Sequence, residues 1–573
     1  MDFKRFDLMR RNVGPVELDL IESYAQKKIN RRDFVKRGTI VGLSAPFMGA
    51  VIAACGSDAA EEGAGTDTEG TGSGAATGTV GGNLIIGNQF GDANSGLDPA
   101  TMLDLGTYNV VSQCFEYLVG LGDDGNIAAT ALATSWSPNA DGSVWTFELR
   151  DGPVWQGSGE PLTSADVAAT MDRAVEFGNA GLAGVIGEGS VDASDPTKAV
   201  ITLLEPNGNF PVLVSLFNTQ SLITPADYST GTTLDERPDG TGAWKLDSFD
   251  PTTFVATYSR NENWWGGSTN LDTIELRGFS DIGTAVTAMS SREIDVIQNF
   301  SVIGGEGLLN DDSFNVLTPP SSNHRQVPFN VQQGKWNNPQ IRQALAYTFD
   351  REQMVNTLFA GRADIANDHP ITSGLPFFDA DATPQRTRDI EMAKQLIADS
   401  GITDLTGTIE CGDLGEIPEF AQIIQQNAAE AGFDFQVNVQ SNSTFYGDSW
   451  CPGPSETDPN LPCDGSADLD IVDWGHRPTP DIFLGAALSS GGVWNGSNYA
   501  NPEFDQKLSD YRTSVDVAGQ KEAIGSIQSI LHEDAPALYA YFFNYLAGHA
   551  DTVSGVQTTA LGHVIVSGAS KDA

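Results

Sequence analysis

The stretch that decides the fold lies in the first third of the chain and combines a strand, a turn and a helix start. It begins with Leu132-Ala133-Thr134-Ser135-Trp136, continues through Phe147-Glu148-Leu149-Arg150-Asp151-Gly152 and ends with Gly159-Glu160-Pro161-Leu162-Thr163-Ser164-Ala165-Asp166-Val167. Apolar and polar side chains alternate over residues 143–149 after the Asp141-Gly142 turn, which predicts a half-buried strand. Thr163 and Asp166 have the spacing of a capping box and therefore predict a helix that begins at about Ser164.

The second half of the chain repeats this alternation of helix and strand. Asn338-Pro339 predicts one helix start, and Asp350 predicts a second that ends at Gly361. Residues 389–401 and 418–432 predict two more helices, and residues 433–439 alternate strictly, as a strand does. Helix followed by strand, twice, indicates an α/β fold.

Length and charge bound the possible functions. With 573 residues and 60.8 kDa the chain exceeds the size of a single core, so we expect at least two lobes. Its 31 Lys and Arg against 76 Asp and Glu give a net charge of -45. Such a field repels nucleic acid, which we exclude as a partner. The acidity itself fits either solubility and salt adaptation or a polycationic substrate.

The N-terminal 54 residues have the features of an export signal. Arg31-Arg32, with Phe34 and Lys36, precedes a weakly apolar run over residues 38–54, which resembles a twin-arginine signal. The run ends in Ile52-Ala53-Ala54-Cys55, which resembles a lipobox with Cys55 as the lipidated residue. Residues 55–82 are rich in Gly, Ala, Thr and acids and predict a flexible acidic tether. We expect a lipoprotein anchored outside the cytoplasmic membrane.

Three blocks of the sequence resemble the family 5 extracytoplasmic solute-binding proteins, the peptide- and nickel-type receptors of ABC importers. The first block is the opening stretch at residues 132–167. The second comprises Gly240-Thr241-Gly242-Ala243-Trp244-Lys245-Leu246 and Arg260-Asn261-Glu262-Asn263-Trp264-Trp265. The third comprises Phe329-Asn330, Arg342-Gln343-Ala344-Leu345-Ala346-Tyr347 and Phe349-Asp350-Arg351-Glu352. The order and spacing of these blocks resemble those of the family from about Asn83 to about Phe543.

The resemblance implies a two-lobed fold like that of the periplasmic binding proteins (cluster C type), with mixed sheets flanked by helices and a hinge between the lobes. It implies one lobe from residues 83–322 plus 535–573 and a second from residues 323–534. The implied protein is a monomer that captures a small solute, an oligopeptide, oligosaccharide or similar, by domain closure and delivers it to ABC permease subunits. It implies no enzyme activity and no cofactor.

The segment from Asp470 to Asp481 is the most informative about the ligand. Peptide receptors of this family carry an aspartate just after a Trp-Gly pair, where it accepts the ligand's α-ammonium; here Trp474-Gly475 is followed by His476 and Arg477. A carboxylate is thus replaced by donors, which disfavours a free peptide N-terminus. Arg477 could form a salt bridge, donate to the ligand or lie in solvent, and Trp474 could stack on the ligand or pack in the core.

Other residues are weaker ligand-binding candidates. They are Trp494 and Asn495 in a glycine-rich loop, Asn94 and Leu97 in the loop after the first strand, and Tyr108, each of which could instead serve packing or a turn.

The cysteines indicate cross-linking rather than catalysis. Cys451 and Cys463 lie in one Pro-, Gly- and Asp-rich loop, and an exported protein meets an oxidising compartment, so we expect a local disulfide between them. Cys114 and Cys411 fall in regular elements and fit buried thiols, although a second bridge between them stays open. We predict no metal site, because no zinc or calcium motif is complete. An exported hydrolase or sugar-processing enzyme on the same scaffold, and a surface adhesion protein, stay as alternatives.

Overall fold

The computed structural model describes residues 81–89, 96–102, 104–122, 125–179, 181–229, 231–450 and 469–572. Residues Ala76–Ala573 form one compact unit. The described hydrophobic side chains of this unit gather in two large cores. We call the part around the first core, residues 81–317 and 546–572, the first lobe, and residues 323–543 the second lobe. Six residues singled out from the sequence lie outside the described residues: Arg31, Arg32, Cys55, Asn94, Cys451 and Cys463.

The first lobe takes its strands from both ends of the described chain. Its strands before the crossover are β1 (Asn83–Gln89), β2 (Gly120–Leu121), β3 (Ile127–Ala128), β4 (Ala133–Pro138), β5 (Val144–Leu149), β6 (Val191–Asp192), β7 (Lys198–Thr202), β8 (Trp244–Asp250), β9 (Val255–Arg260), β10 (Thr273–Phe279), β11 (Val296–Phe300) and β12 (Phe314–Leu317). Its helices are α1 (Leu105–Val111), α2 (Ser164–Glu176), α3 (Phe210–Leu213), α4 (Ile282–Ser290) and α5 (Glu306–Leu309).

The second lobe is richer in helix. Its strands are β13 (Asn323–Pro328), β14 (Ala363–Ile365), β15 (Thr406–Gly412), β16 (Asp434–Gln440), β17 (Leu469–Trp474) and β18 (Ala537–Phe543). Its helices are α6 (Pro339–Thr348), α7 (Arg351–Phe359), α8 (Ile390–Ser400), α9 (Ile417–Ala429), α10 (Asn442–Thr444), α11 (Asp481–Ala487), α12 (Pro502–Thr513) and α13 (Val517–Asp534), with a 3₁₀ helix at Gly334–Asn337 and a π-helical turn at Phe445–Ser449. The chain then returns to the first lobe with β19 (Leu546–Ala550), β20 (Val553–Ser554), β21 (Gln557–Thr558), β22 (Val564–Ile565) and β23 (Ser570–Lys571).

Each lobe is built on a mixed sheet. The first lobe has a seven-stranded sheet in the order β12-β19-β11-β1-β10-β9-β8 and a separate four-stranded sheet, β4-β5-β7-β6. In the larger sheet β1 runs parallel to β10 and β11, whereas β19 is antiparallel to β11. The second lobe has a six-stranded sheet in the order β14-β18-β13-β17-β15-β16, with β15 parallel to both neighbours. The predicted two-lobed α/β fold with mixed sheets is confirmed.

The local signals in the sequence produce the helix ends they predict. The Thr163 backbone N–H donates to the Asp166 carboxylate at 2.7 Å, as a capping box requires. The Asp350 carboxylate accepts from the backbone N–H of Gln353 at 2.9 Å. The helix that Asp350 caps ends at Phe359, and Gly361 follows in the left-handed region with φ 75°.

Two short connections join the lobes. The chain leaves the first lobe after β12 and enters the second at β13, so residues 318–322 form the first connection. Residues 544–545 form the second, between β18 and β19. This return lies later than the boundary at 535 that we expected, because β18 pairs with both β13 and β14 and its buried side chains, including Leu538 and Tyr541, belong to the second core.

Candidate functional site

A cavity of about 720 Å³ lies where the two lobes meet. The first connection, from Thr318 to Ser322, forms part of its wall, and both lobes supply the rest. Cavities that hold small organic ligands have volumes of roughly 300–1,000 Å³ and favour such boundaries between domains. This cavity is therefore the candidate functional site.

The first lobe contributes aromatic rings and small polar groups to the cavity. Trp136 lies half-buried on β4, where its ring packs 6.4 Å from that of Phe147, and the Phe217 ring follows α3. Gln557, Thr558 and Thr559, in the C-terminal part of the chain, add amide and hydroxyl groups to the same wall. The first lobe thus offers apolar faces beside hydrogen-bonding groups.

The second lobe contributes His476, the second residue after the end of β17. The His476 ring is 7% exposed and lies 5.5 Å, centroid to centroid, from the Phe217 ring of the first lobe. Burial, together with the nearby charge of Arg477, lowers the pKa of His476 to about 3, so the ring is neutral at physiological pH. Thr372, Phe377 and Gln520 line the cavity on the same side.

Direct hydrogen bonds join the lobes beside the cavity. Asn209, just before α3, donates from Nδ2 to Oδ2 of Asp481 at 2.9 Å and accepts on Oδ1 from Nε2 of Gln520 at 2.8 Å. The backbone N–H of Gly208 donates to the carbonyl of Arg512 at 2.8 Å. Asn209 belongs to the first lobe and its partners to the second, so these bonds depend on how closely the lobes approach.

The described lining of the cavity contains no Asp, Glu, Lys or Arg. This composition is unusual for a chain with 31 basic and 76 acidic residues. The Asp481 carboxylate, which accepts from the lining residue Asn209, also accepts from Nε of Arg512 (3.2 Å), so its charge is already compensated. Polar recognition in the described lining therefore rests on neutral donors and acceptors.

Trp474 lies in the core of the second lobe behind the cavity. Its ring is 6% exposed, packs against His324, Phe483 and Trp494, and donates from Nε1 to Oε1 of Gln326 at 2.7 Å. The cavity lining includes His476 but not Trp474. This packing favours the core interpretation of Trp474 over the stacking one.

Arg477 turns back onto its own loop. Its Nη1 donates to the carbonyl of His476 at 2.8 Å, and burial lowers the pKa of its guanidinium. Among the described residues no carboxylate forms an ion pair with it, and it does not line the cavity. Of the three interpretations of Arg477, the salt bridge finds no support in the described part of the chain.

The other described ligand-binding candidates lie outside the cavity lining. Trp494 is 44% exposed and sits edge-on to Trp474, with ring centroids 5.8 Å apart. The Asn495 side chain is buried and donates to the carbonyls of Ser489 and Tyr499. Leu97 and Tyr108 belong to the first core. The described lining contains none of these four. Cys114 and Cys411 are free and buried in different cores.

Sequence reasoning missed most of the cavity wall. Asn209 sits in an Asn207-Gly208-Asn209 turn, and Pro319-Pro320 marks the first connection, so both carried a local signal of irregular backbone. Neither signal states what lies opposite in space. Phe217 and Gln557 carried no signal that separates them from other loop residues.

The described residues contain neither a metal-binding cluster nor a membrane-spanning helix. No three His, Cys, Asp or Glu side chains there converge on a position that could hold a metal ion. No helix there combines the length and apolar character needed to cross a membrane.

Comparison with known proteins places this geometry in context. The family model described as "Bacterial extracellular solute-binding proteins, family 5 Middle" matches residues 128–495. The chain is 24% identical over 482 residues to the glutathione-binding protein GsiB of Escherichia coli (strain K12), a match that covers 82% of this chain and 91% of the relative.

Solved structures share the two-lobed fold. HbpA2 from Haemophilus parasuis superposes with a TM-score of 0.74 at 21% identity, covering 86% of this chain and 100% of the other. A nickel ABC transporter protein from Bacillus halodurans superposes with a TM-score of 0.70 at 21% identity, covering 85% and 99%.

Proposed function

This chain belongs to the bacterial extracellular solute-binding proteins of family 5 and is thus the substrate-binding component of an ABC importer, and we propose that the solute it binds is uncharged. The solute class we infer is a neutral, polyhydroxylated or amide-bearing molecule with apolar faces, such as an oligosaccharide or an end-blocked peptide. It occupies the cavity between the lobes and is released unchanged to the permease.

The observation that carries this proposal is the described lining without Asp, Glu, Lys or Arg. An ammonium or carboxylate that leaves water without a counter-charge costs several kcal/mol. Hydroxyl, amide and ether groups are matched instead by Asn209, Gln520, Gln557 and Thr558. The rings of Trp136 and Phe217 suit the apolar faces of sugar rings or side chains.

The same lining supports binding without chemistry. Hydrolysis of a glycosidic bond generally uses two carboxylates on either side of the bond. The described cavity wall presents no carboxylate at all. We therefore favour a receptor over the alternative of an exported hydrolase.

The experiment is identification of the bound solute followed by direct binding measurements. Denaturing the purified protein and analysing the released small molecules by mass spectrometry should yield a solute with no net charge. In calorimetry, maltotriose or acetyl-trialanine-amide should bind more tightly than free trialanine, which carries both terminal charges. A released ammonium compound, or tighter binding of free trialanine, would refute the neutral solute.

One variant sharpens this test. Asp123 and Asp124 lie outside the described residues, between Gly122 and Gly125, which both line the cavity. Asp123→Asn combined with Asp124→Asn should leave binding of the neutral probes unchanged. If it abolishes binding of an amine-bearing probe instead, the solute is cationic and the proposal is wrong.

Export and anchoring complete the proposal. We infer twin-arginine export through Arg31-Arg32, lipidation at Cys55, a monomeric mature receptor and a Cys451–Cys463 disulfide, all from sequence. Cys55→Ser should move the protein from the membrane fraction to the soluble fraction, and Arg31→Lys with Arg32→Lys should block export. Non-reducing peptide mapping should recover Cys451 and Cys463 in one linked peptide.

A further inference from the structure

His476 is the one titratable side chain in the described cavity lining. His476 is the second residue after β17, and its ring lies next to the first connection between the lobes. Its Nδ1 lies 3.1 Å from the backbone nitrogen of Ser322 and 3.1 Å from the Ser322 hydroxyl. Ser322 ends the first connection, which leads into the second lobe, so the first connection itself holds the ring.

The hydrogen bonds of Ser322 fix the tautomer of this ring. The Ser322 hydroxyl donates to the carbonyl of Arg477 at 2.7 Å and accepts from the backbone N–H of Arg477 at 2.8 Å. Its single proton is thus committed to Arg477. The backbone N–H of Ser322 can only donate, so Nδ1 of His476 must accept. In a neutral imidazole the proton then sits on Nε2.

Nε2 is left without a partner. It is buried, and no described protein group lies within hydrogen-bonding distance of it. The Phe217 ring of the first lobe packs directly against the His476 ring, with centroids 5.5 Å apart, and offers no acceptor oxygen. A buried N–H group without an acceptor costs roughly 1–3 kcal/mol, so an acceptor oxygen from a bound water or a solute would stabilise it.

We propose that His476 is a specificity-determining donor: its Nε2–H binds an acceptor oxygen of the solute, a carbonyl, hydroxyl or ether oxygen, and rejects an ammonium group at that position. The inference rests on the proposed function, because it assumes that the cavity holds the solute. It extends the proposed function by naming the protein atom that recognises the solute, and by stating that the protein donates and the solute accepts in that hydrogen bond.

The tautomer can be tested without any ligand. In protein labelled with ¹⁵N-histidine, the His476 signals, identified by their loss in His476→Gln, should show a protonated Nε2 and an unprotonated Nδ1 from pH 8 to pH 5. A proton on Nδ1, or titration of the ring within this range, would overturn the proposal whatever the solute is.

Binding tests the donor itself, with maltotriose and acetyl-trialanine-amide as probes. His476→Phe keeps the ring shape without nitrogen and should weaken the better probe roughly 10-fold or more. His476→Gln retains an amide N–H donor and should stay within about 3-fold of the parent. His549→Gln, at a buried histidine outside the cavity lining, is the matched control and should have no effect.

The results separate this proposal from the proposed function. If a neutral probe binds and His476→Phe binds it as tightly as the parent, the donor role is wrong while the neutral solute stands. If only free trialanine binds, the neutral solute is wrong, and the same variants against trialanine decide whether Nε2 donates to it. His476→Asp supplies a carboxylate and should shift preference from acetyl-trialanine-amide towards free trialanine; no shift would contradict a contact at this position.

Discussion

A single methyl group at Gly208 should force the two lobes apart. A Cβ built on Gly208 would overlap the carbonyl oxygen of Ser514, which belongs to the backbone of the second lobe and cannot rotate away as a side chain would. The backbone φ of Gly208 is not in the left-handed region, so alanine itself is tolerated there. Gly208→Ala can therefore relieve the overlap by separating the lobes at this contact, without disturbing either core.

The magnitude follows from the bonds that separation would break. They are the Gly208 bond to Arg512 and the two Asn209 bonds to Asp481 and Gln520. At about 1 kcal/mol for each neutral bond and roughly 2 kcal/mol for the bond to a carboxylate, the approach of the lobes loses about 4 kcal/mol. Such a loss changes the equilibrium between approached and separated lobes by roughly a thousandfold.

Small-angle X-ray scattering of the unliganded protein should show a larger radius of gyration for Gly208→Ala, and calorimetry should show weaker binding of the neutral probe. Gly187→Ala is the matched control in the same lobe, because the nearest heavy atom to its added Cβ is 3.8 Å away. Asn209→Ala removes two of the bonds without the overlap and should give an intermediate effect. If folded Gly208→Ala gives the scattering curve and affinity of the parent, the contact does not control the approach of the lobes.

Two predictions concern stability. Acid should destabilise the protein, because burial lowers the pKa of five histidines to about 3 or 4: His324, His369, His476, His532 and His563. Below pH 6.5 these histidines take up protons in the unfolded chain but not in the folded one. Their contribution to the free energy of unfolding is therefore complete above pH 6.5 and is lost as the pH falls towards 3–4. The loss amounts to roughly 2 kcal/mol for each histidine between pH 7 and pH 5. The Glu116 carboxyl, whose pKa burial raises to about 7, acts oppositely and offsets part of this loss. Urea unfolding at pH 7 and pH 5 measures the net change, and equal stability at both would contradict the burial of these rings. Asp368→Asn should cost roughly 3–5 kcal/mol in the same assay, because it leaves the buried Arg351 and Arg386 without their shared carboxylate; a loss below about 1 kcal/mol would show that the ion pairs do not contribute.

Local sequence determined the elements of this protein. Capping residues such as Thr163 and Asp350 act within one helical turn, and the strand alternation at residues 433–439 depends only on a two-residue period, so the sequence alone specifies them. The three sequence blocks also carried the two-lobed fold and the family. These are statements about neighbours in the chain, or about a pattern that the whole family shares.

Tertiary structure alone decided the lobe boundary and the cavity wall. The sequence predicts the strand after Pro536. The lobe to which this strand belongs depends on its pairing with β13 and β14, which lie far away in the chain. The Trp474–Arg477 segment was likewise identified, yet only packing buried Trp474 and left His476 at the cavity, its tautomer fixed by Ser322. Contacts such as Asn209 with Asp481 join the two lobes. No local rule reaches across such separations, because the free energy of a contact depends on which surfaces the folded chain brings together.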